Sequence, residues 1–327
     1  HEMPGSILGS RSVLIQLALI LLLSFTAWTW FSILNASQAE TSVYVLDVGQ
    51  GDSQLVLLEE HGASVVKILI DGGKDRRVLD ALDETLGTLN NKYIDIVVLT
   101  HTDLDHLGGI VEVLKRYDVG LFVSNGRPAD SEAYAALQYE LSEGNIREVV
   151  LLEGDAIRYG NHVFSVLSPD RTLLKHREVN ESSIVMMLDS EGRRILFTGD
   201  IGFPTEERLL TKKYNLDADI LKVAHHGSKY SSSENFLAAV SPLTSLIGVG
   251  KNTYGHPTAR VLQSLELAGS RTYRTDESGT LHVPLSSDAS VKETPEETGW
   301  LAAAASIFWG EQSSDMTVVS LGYVESE

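Results

Sequence analysis

The chain has 327 residues, 43% hydrophobic and 22% charged, a balance that belongs to a folded globular protein and excludes a disordered one. A formal net charge of −19 disfavours broad nonspecific binding to duplex nucleic acid, so any contact with a polyanion has to be local. The absence of cysteine excludes disulfides, thiolate metal ligands and a cysteine nucleophile.

The 22 residues 13–34 (VLIQLALILLLSFTAWTWFSIL) carry no charge and, at about 1.5 Å per residue, are long enough to cross a bilayer. Trp28, Trp30 and Phe31 sit toward the outer end, as in an interfacial aromatic belt, with Arg11 before the run and Glu40 after it. Residues 1–40 are expected to be a membrane anchor; a signal peptide cleaved near Ser37 and Ala39 is the other reading. Either one places the remainder outside, membrane-anchored or secreted.

From residue 41 short strands and helices alternate. Residues 41–49 and 52–60 read as a hairpin turned at Gly49–Gly51, and 64–73 as a third strand. Residues 76–89 have the helical spacing of Val78, Leu79, Leu82 and Leu86. A buried strand at 93–100, a helix at 109–117, a strand at 119–126 and a helix at 131–143 follow. The second half continues with strands at 148–153, 162–168, 183–189, 193–198, 218–224, 244–249, 271–275 and 280–284, and helices at 203–213, 233–240 and 257–268. This order predicts a layered α/β domain over 41–285, with two sheets between helices. Residues 286–299 read as an acidic linker, and the apolar run 300–309 is too short to span a membrane and is expected to dock as a helix. Residues 310–327 carry no signal.

Residues 100–109 read THTDLDHLGG and follow the apolar run IDIVVLT (94–100). A strand ending in a dense His/Asp cluster puts candidate ligands on a rigid edge, and buried charges need a partner such as a cation. Four further stretches end strands in the same way. LIDGG (69–73) presents Asp71, an acceptor suited to hold a ligand histidine, and ILFTGD (195–200) presents Asp200, a carboxylate suited to bridge two ions. ILKVAHHGS (220–228) presents His225 and His226, and KNTYGHP (251–257) presents His256. Each alone reads as turn chemistry. Together they predict one metal centre at one edge of the domain.

These motifs carry a resemblance. LDVGQGDS (46–53), THTDLDHLGG, VNESSIV (179–185), FTGD, LKVAHHGSK (221–229) and VGKNTYGHP (249–257) are similar to the extracytoplasmic hydrolase domain of the ComEC family of competence DNA-uptake proteins, within the metallo-β-lactamase superfamily. The resemblance covers 41–285 and implies an αββα four-layer sandwich. It implies His101 and Asp103 on a first metal, Asp105, His106 and His225 on a second, and Asp200 between them. Asn180 stands where the superfamily supplies a histidine, and Asp103 likewise, so the site is read as oxygen-rich. Asp105 is also given a catalytic role. His226 is read as a proton donor or a support behind the ligands, and His256 as a phosphate contact or part of the metal shell. His162 and His176 match no motif and are read as ordinary surface or core histidines. The many-helix channel domain of ComEC proteins has no counterpart here, so no DNA channel is inferred.

Asp and Asn oxygens with histidine and no soft donor suit Mn²⁺ by type, while Zn²⁺ binds such sets more tightly, so two divalent ions, Mn²⁺ or Zn²⁺, are expected. Such a pair supports in-line hydrolysis without a covalent enzyme intermediate. Gln50, Asp52 and Ser53 in the turn at 49–53 are expected to face the site. Residues 222–275 hold six basic residues against two acidic ones, and Ser228 and Lys229 offer donors to phosphate oxygens. The expectation is a phosphodiesterase, a nuclease acting on single strands, with a channel protein as a candidate partner. The overall acidity favours instead a hydrolase of a small phosphoester, lactone or cell-wall fragment. The absent histidine at position 180 favours a non-enzymatic subunit of an envelope complex.

Overall fold

The computed structural model describes residues 7–36, 40–60, 65–87, 91–285, 291–293 and 316–319, with side chains in the first stretch at 13 and 15–30. The strands are β1 (Ser42–Val45), β2 (Gln54–Leu58), β3 (Val66–Ile70), β4 (Tyr93–Val98), β5 (Asp118–Ser124), β6 (Glu148–Val150), β7 (Ala156–Tyr159), β8 (His162–Ser168), β9 (Val185–Ser190), β10 (Arg193–Phe197), β11 (Ile220–Lys222), β12 (Thr244–Ile247), β13 (Arg271–Arg274), β14 (Leu281–Pro284), β15 (Lys292–Glu293) and β16 (Met316–Val319). The helices are α1 (Ile7–Ala36), α2 (Arg77–Leu86), α3 (Leu104–Leu114), α4 (Glu132–Glu143), α5 (Phe203–Thr211), α6 (Glu234–Val240), α7 (Ala259–Leu267) and the short α8 (Thr275–Ser278).

Two sheets of eight strands form, in the orders β15-β14-β1-β2-β3-β4-β5-β6 and β13-β12-β11-β10-β9-β8-β7-β16. Both follow one plan. An antiparallel meander (β1–β2–β3, and β7–β8–β9–β10) runs into a parallel set (β3–β4–β5–β6, and β10–β11–β12–β13). The period of two sorts the apolar residues. Val43, Val45, Ile68 and Ile70 of one sheet meet Val166, Met186, Leu188 and Phe197 of the other between the sheets. Tyr44, Leu46 and Leu69 face the other way, onto Val78 and Leu82 of α2, Ile110 of α3 and Leu137 of α4. Val185, Met187 and Leu221 face Leu209 of α5, Phe236 of α6 and Leu265 of α7. The layers are thus helix, sheet, sheet, helix. Each such buried side chain contributes about 1.5–3 kcal/mol before chain entropy is counted.

The expected helix at 109–117 begins earlier, at Leu104. Asp103 holds the extended N-cap conformation, so Asp105 and His106 lie on the first turn of α3 and not in a loop. The glycine pair explains the placement. A Cβ at Gly109 would lie 1.8 Å from the Gly72 carbonyl oxygen, and one at Gly108 2.0 Å from that of Lys74. The helix therefore packs backbone to backbone on the loop after β3. Strand 148–153 stops at Val150, and β7 follows it unforeseen. The expected linker contributes β15 to the first sheet, and β16, in a stretch without signal, pairs with β7. The docking helix expected at 300–309 lies outside the described residues. So does part of the anchor or signal segment, whose longest run described with side chains is 15–30. Among the described residues no helix is long and apolar enough to cross a membrane.

One buried ion pair ties the two sheets together at the edge where their parallel strands end. Lys222 Nζ, at the end of β11, donates to Asp52 Oδ2 in the turn after β1 at 2.6 Å and to the Val223 carbonyl at 3.0 Å. Both side chains are buried, 2% and 1% exposed. Removing one partner of such a pair leaves a buried charge short of compensation. Lys222→Met is expected to lower unfolding stability by about 3–5 kcal/mol, and adding Asp52→Asn to recover a large part of it. Denaturant titration of the two variants checks this.

Candidate metal centre

The strands β3, β4, β10 and β11 end at one edge and deliver Asp71, His101, Asp200 and the 224–227 turn there. Three groups of donor atoms fall within 4.8 Å of one another: His101, His106 and Asp200; Asp105, His106 and His226; Asp52, Asp200 and His226. His106 Nε2 lies 3.3 Å from Asp200 Oδ2, and His226 Nε2 lies 3.3 Å from Asp105 Oδ2 and 3.6 Å from Asp200 Oδ2. His101 Nε2 is 3.7 Å from Asp103 Oδ2.

A chain of hydrogen bonds sets which ring nitrogens face inward. The buried Asp71 carboxylate accepts from the Thr100 amide at 2.8 Å, from Thr100 Oγ1 at 2.7 Å, and from His106 Nδ1 at 2.8 Å. With its proton given to Asp71, Thr100 Oγ1 accepts from His101 Nδ1 at 3.0 Å. His226 Nδ1 donates to the Gly248 carbonyl at 2.8 Å. All three histidines are thereby held with Nε2 toward the cluster, the arrangement metal ligands require. His101 Nε2, His106 Nε2, His226 Nε2 and Asp200 Oδ1 are buried without a hydrogen-bond partner. Buried polar atoms are normally satisfied, and four unsatisfied ones spread over these adjoining donor groups fit bound divalent cations.

The electrostatics agree. Burial alone would depress His226, but Asp200, Asp52 and Asp105 lift it to about 10. Burial likewise opposes, and Asp200 and Asp71 overcome, in raising His106 well above its usual value. His101 is pushed down to about 3 by burial and by His106. Asp105, despite burial, falls to about 2 through the His226 ring, 3.3 Å away, and the charge of His106. The protons on His106 and His226 stand where a cation would otherwise sit.

Several site residues lie elsewhere than the sequence suggested. His226, not His225, enters the cluster: its ring is buried and anchored by Gly248, whereas His225 is 30% exposed at the rim, with Nε2 3.8 Å from Asp200. Both residues take left-handed backbone conformations, φ 52° and 53°, so the turn swings the two rings apart. Asn180 Nδ2 reaches a ring nitrogen of His225 at 3.3 Å. Asp52 is not a substrate contact. It is buried behind His226, 3.5 Å from Nδ1, and paired with Lys222. Ser228 is also buried, its Oγ accepting from the Tyr230 amide at 3.3 Å. Gln50 Oε1 accepts from the Gly250 amide and braces the 249–257 loop. Ser53 Oγ donates to the Asp71 carbonyl.

The basic stretch 222–275 does not survive as a rim. Lys222 is buried, Arg260 donates to the carbonyls of Ser228, Ser231 and Ser232, and Arg274 pairs with Asp276 and Glu277. Lys229 remains exposed, 5.0 Å over the Tyr230 ring, and Lys251 is exposed in the next loop. His256 is half-buried, 5.6 Å ring to ring from His225. Of the remaining histidines, His162 bonds Ser190 and the Glu59 carbonyl far from the cluster, and the side chain of His176 meets only its own loop at Glu178. Sequence reasoning missed Thr100 and Gly248. Thr100 stood in plain view one residue before His101, but a threonine at a strand end carries no signal of its own.

Two outcomes test this site. Metal uptake is expected to release protons, because His106 and His226 carry them in the metal-free state; affinity then falls as pH drops below about 10, the value at which His226 begins to hold its proton. Calorimetry in buffers of differing ionisation enthalpy measures the release. Asp71→Asn, which frees His101 and His106 from their orienting acceptor, is expected to weaken metal binding by about 10–100-fold.

The profile of the metallo-beta-lactamase superfamily matches residues 47–251. ComE operon protein 3 of Bacillus subtilis is 33% identical over 260 residues, 74% of this chain and 33% of that protein. Competence protein ComA of Neisseria gonorrhoeae is 32% identical over 248 residues, 75% of this chain and 32% of that protein. The chain thus spans about a third of the length of these curated relatives. Among solved structures, the diiron β-hydroxylase CmlA of Streptomyces venezuelae matches with a TM-score of 0.50 at 14% identity, covering 76% of this chain and 55% of that one, a likeness of fold alone. With its fold, donor set and motifs in agreement, the chain belongs to the metallo-beta-lactamase superfamily and is related to competence proteins.

Proposed function

We propose that the chain is a phosphodiesterase, a nuclease acting on single-stranded nucleic acid with two divalent ions, Mn²⁺ or Zn²⁺. The observation that carries the reading is the set of four buried, unsatisfied donor atoms ringed by partly exposed carboxylates. Asp103 and Asp105, 44% and 31% exposed, form the side of the cluster open to solvent. The 31–33% identity to proteins named for competence and recombination supports a nucleic-acid substrate.

Divalent ions held here supply Lewis acidity at a phosphoryl oxygen and make water nucleophilic near neutral pH. His101 and Asp103 would hold one ion and Asp105, His106 and His226 the other, with Asp200 within reach of both groups. Asp71, through Thr100, keeps the histidine nitrogens pointed inward. His225, open to solvent and hydrogen-bonded by Asn180, is the group placed to hand a proton to the leaving oxygen.

The domain is proposed to work on the outer side of a membrane. Apolar side chains exposed all around α1, Leu19, Leu21, Leu23 and Phe25 among them, support a lipid-facing tether. A channel protein is its proposed partner, in keeping with the relatives' greater length. The dismantled basic stretch and the −19 charge favour a second reading, hydrolysis of a small phosphoester.

Purified protein with Mn²⁺ or Zn²⁺ is expected to cut single-stranded oligonucleotides and to lose this activity with chelator. Hydrolysis of small chromogenic diesters without strand cleavage selects the second reading. His226→Ala is expected to lose bound metal. His225→Ala keeps its metal but lowers kcat by about 10²–10⁴-fold. Elemental analysis beside the kinetics separates the two.

A further inference from the structure

The 249–257 loop carries an exposed aromatic residue on a braced backbone. Tyr254 is 72% exposed, yet its loop is held at four points by one side chain. Asn252 Oδ1 accepts from the Tyr254 amide at 3.1 Å and the His256 amide at 3.0 Å, while Asn252 Nδ2 donates to the Gly250 carbonyl at 2.9 Å and the His256 carbonyl at 2.8 Å. Gly250 is itself pressed on the turn after β1, where a Cβ would lie 2.3 Å from the Gly49 carbonyl carbon. A large ring kept in water on so firm a support has no role in packing.

Tyr254 is also the outermost of a continuous series of rings. Its centroid lies 5.7 Å from His256, which lies 5.6 Å from His225, which lies 6.2 Å from His226 in the cluster. His256 Nδ1 is buried without a hydrogen-bond partner. Lys251, on the same loop, has no ion-pair partner among the described residues. The combination is a flat apolar face and a positive charge on one loop beside the site. An unpaired nucleobase joined to a phosphodiester offers the complement of each: a π-face for the tyrosine and an anionic oxygen for the lysine.

We propose that Tyr254 is a stacking platform for an unpaired base of the strand entering the site, so that it selects single strands over duplex, whose bases are already stacked. The inference rests on the phosphodiester reading of the centre and adds the residue that sets its substrate class. Lys251 meets the backbone phosphate and reads no base.

The test is equilibrium binding of labelled oligonucleotides to the full chain, followed by fluorescence anisotropy, using an ordinary strand and one of equal length and charge made of abasic units. Tyr254→Ala is expected to weaken binding of the ordinary strand by about 5- to 100-fold and to leave the abasic strand unchanged, while Tyr254→Phe keeps wild-type affinity. Lys251→Ala is expected to weaken both strands alike and to reduce the salt dependence by about one ion. Deoxyribose and ribose strands run in parallel show which backbone is preferred. Equal affinity of Tyr254→Ala and wild type, or equal losses on both strands, overturns the platform. Wild-type protein that binds strands through Tyr254 but hydrolyses no diester overturns the phosphodiester reading and leaves the platform standing.

Discussion

The buried carboxylate of Asp71 organises the site. It touches no partner in the donor cluster except His106, yet through its three accepted hydrogen bonds it settles the tautomers of two histidines. Burial pushes its carboxyl up, against the pull of His106 and Thr100, so the group is held in place at a cost in solvation. Without it His101 and His106 have no reason to present Nε2 inward. The sheet makes this economical. Asp71 follows β3 and Thr100 follows β4, and the two strands are parallel neighbours, so their ends lie side by side.

The second sheet repeats the plan with different chemistry. Asp200 follows β10 as Asp71 follows β3, and the 224–227 turn follows β11 as His101 follows β4. The two carboxylates have opposite duties. Asp71 faces backward and fixes rings; Asp200 faces the cluster, and although burial opposes its ionisation, His106 and His226 hold it well below the usual carboxylate range. The pair Lys222–Asp52 joins the halves behind this face. A residue that looked like a basic contact for substrate is therefore a structural tie, and the overall acidity of the chain meets substrate through only a few exposed lysines.

Support of the surrounding loops comes from buried acids to which the sequence assigned no role. Glu181 Oε2 accepts from the Thr205 amide at 3.0 Å, fixing the loop after Asp200. Glu206 accepts from the Ser232 and Ser233 amides, and Arg260 binds carbonyls of the same turn from the other side. Burial raises the Glu206 carboxyl, eased by these amides. Loops held so firmly let an exposed side chain such as Tyr254 act as a fixed surface, with little ordering left to lose on binding.

How much of this was legible beforehand follows from the range over which each signal acts. The strand-end motifs are local: THTDLDHLGG, FTGD and AHHGS announce donors because so many of these residue types recur at strand ends of one domain, and the alternation of strands and helices announces the layers. The sequence by itself determined the fold class and most of the residues that gather at the candidate metal centre. Choices between neighbours were beyond it. His225 and His226 are chemically equal, and only the left-handed turn and the Gly248 carbonyl, 22 residues away, decide which ring is buried. Lys222 counts as a free charge until Asp52, 170 residues earlier, is brought within 2.6 Å. The tertiary structure decided which polar groups face the cluster and which are spent on holding it, because that depends on burial and on partners distant in the chain.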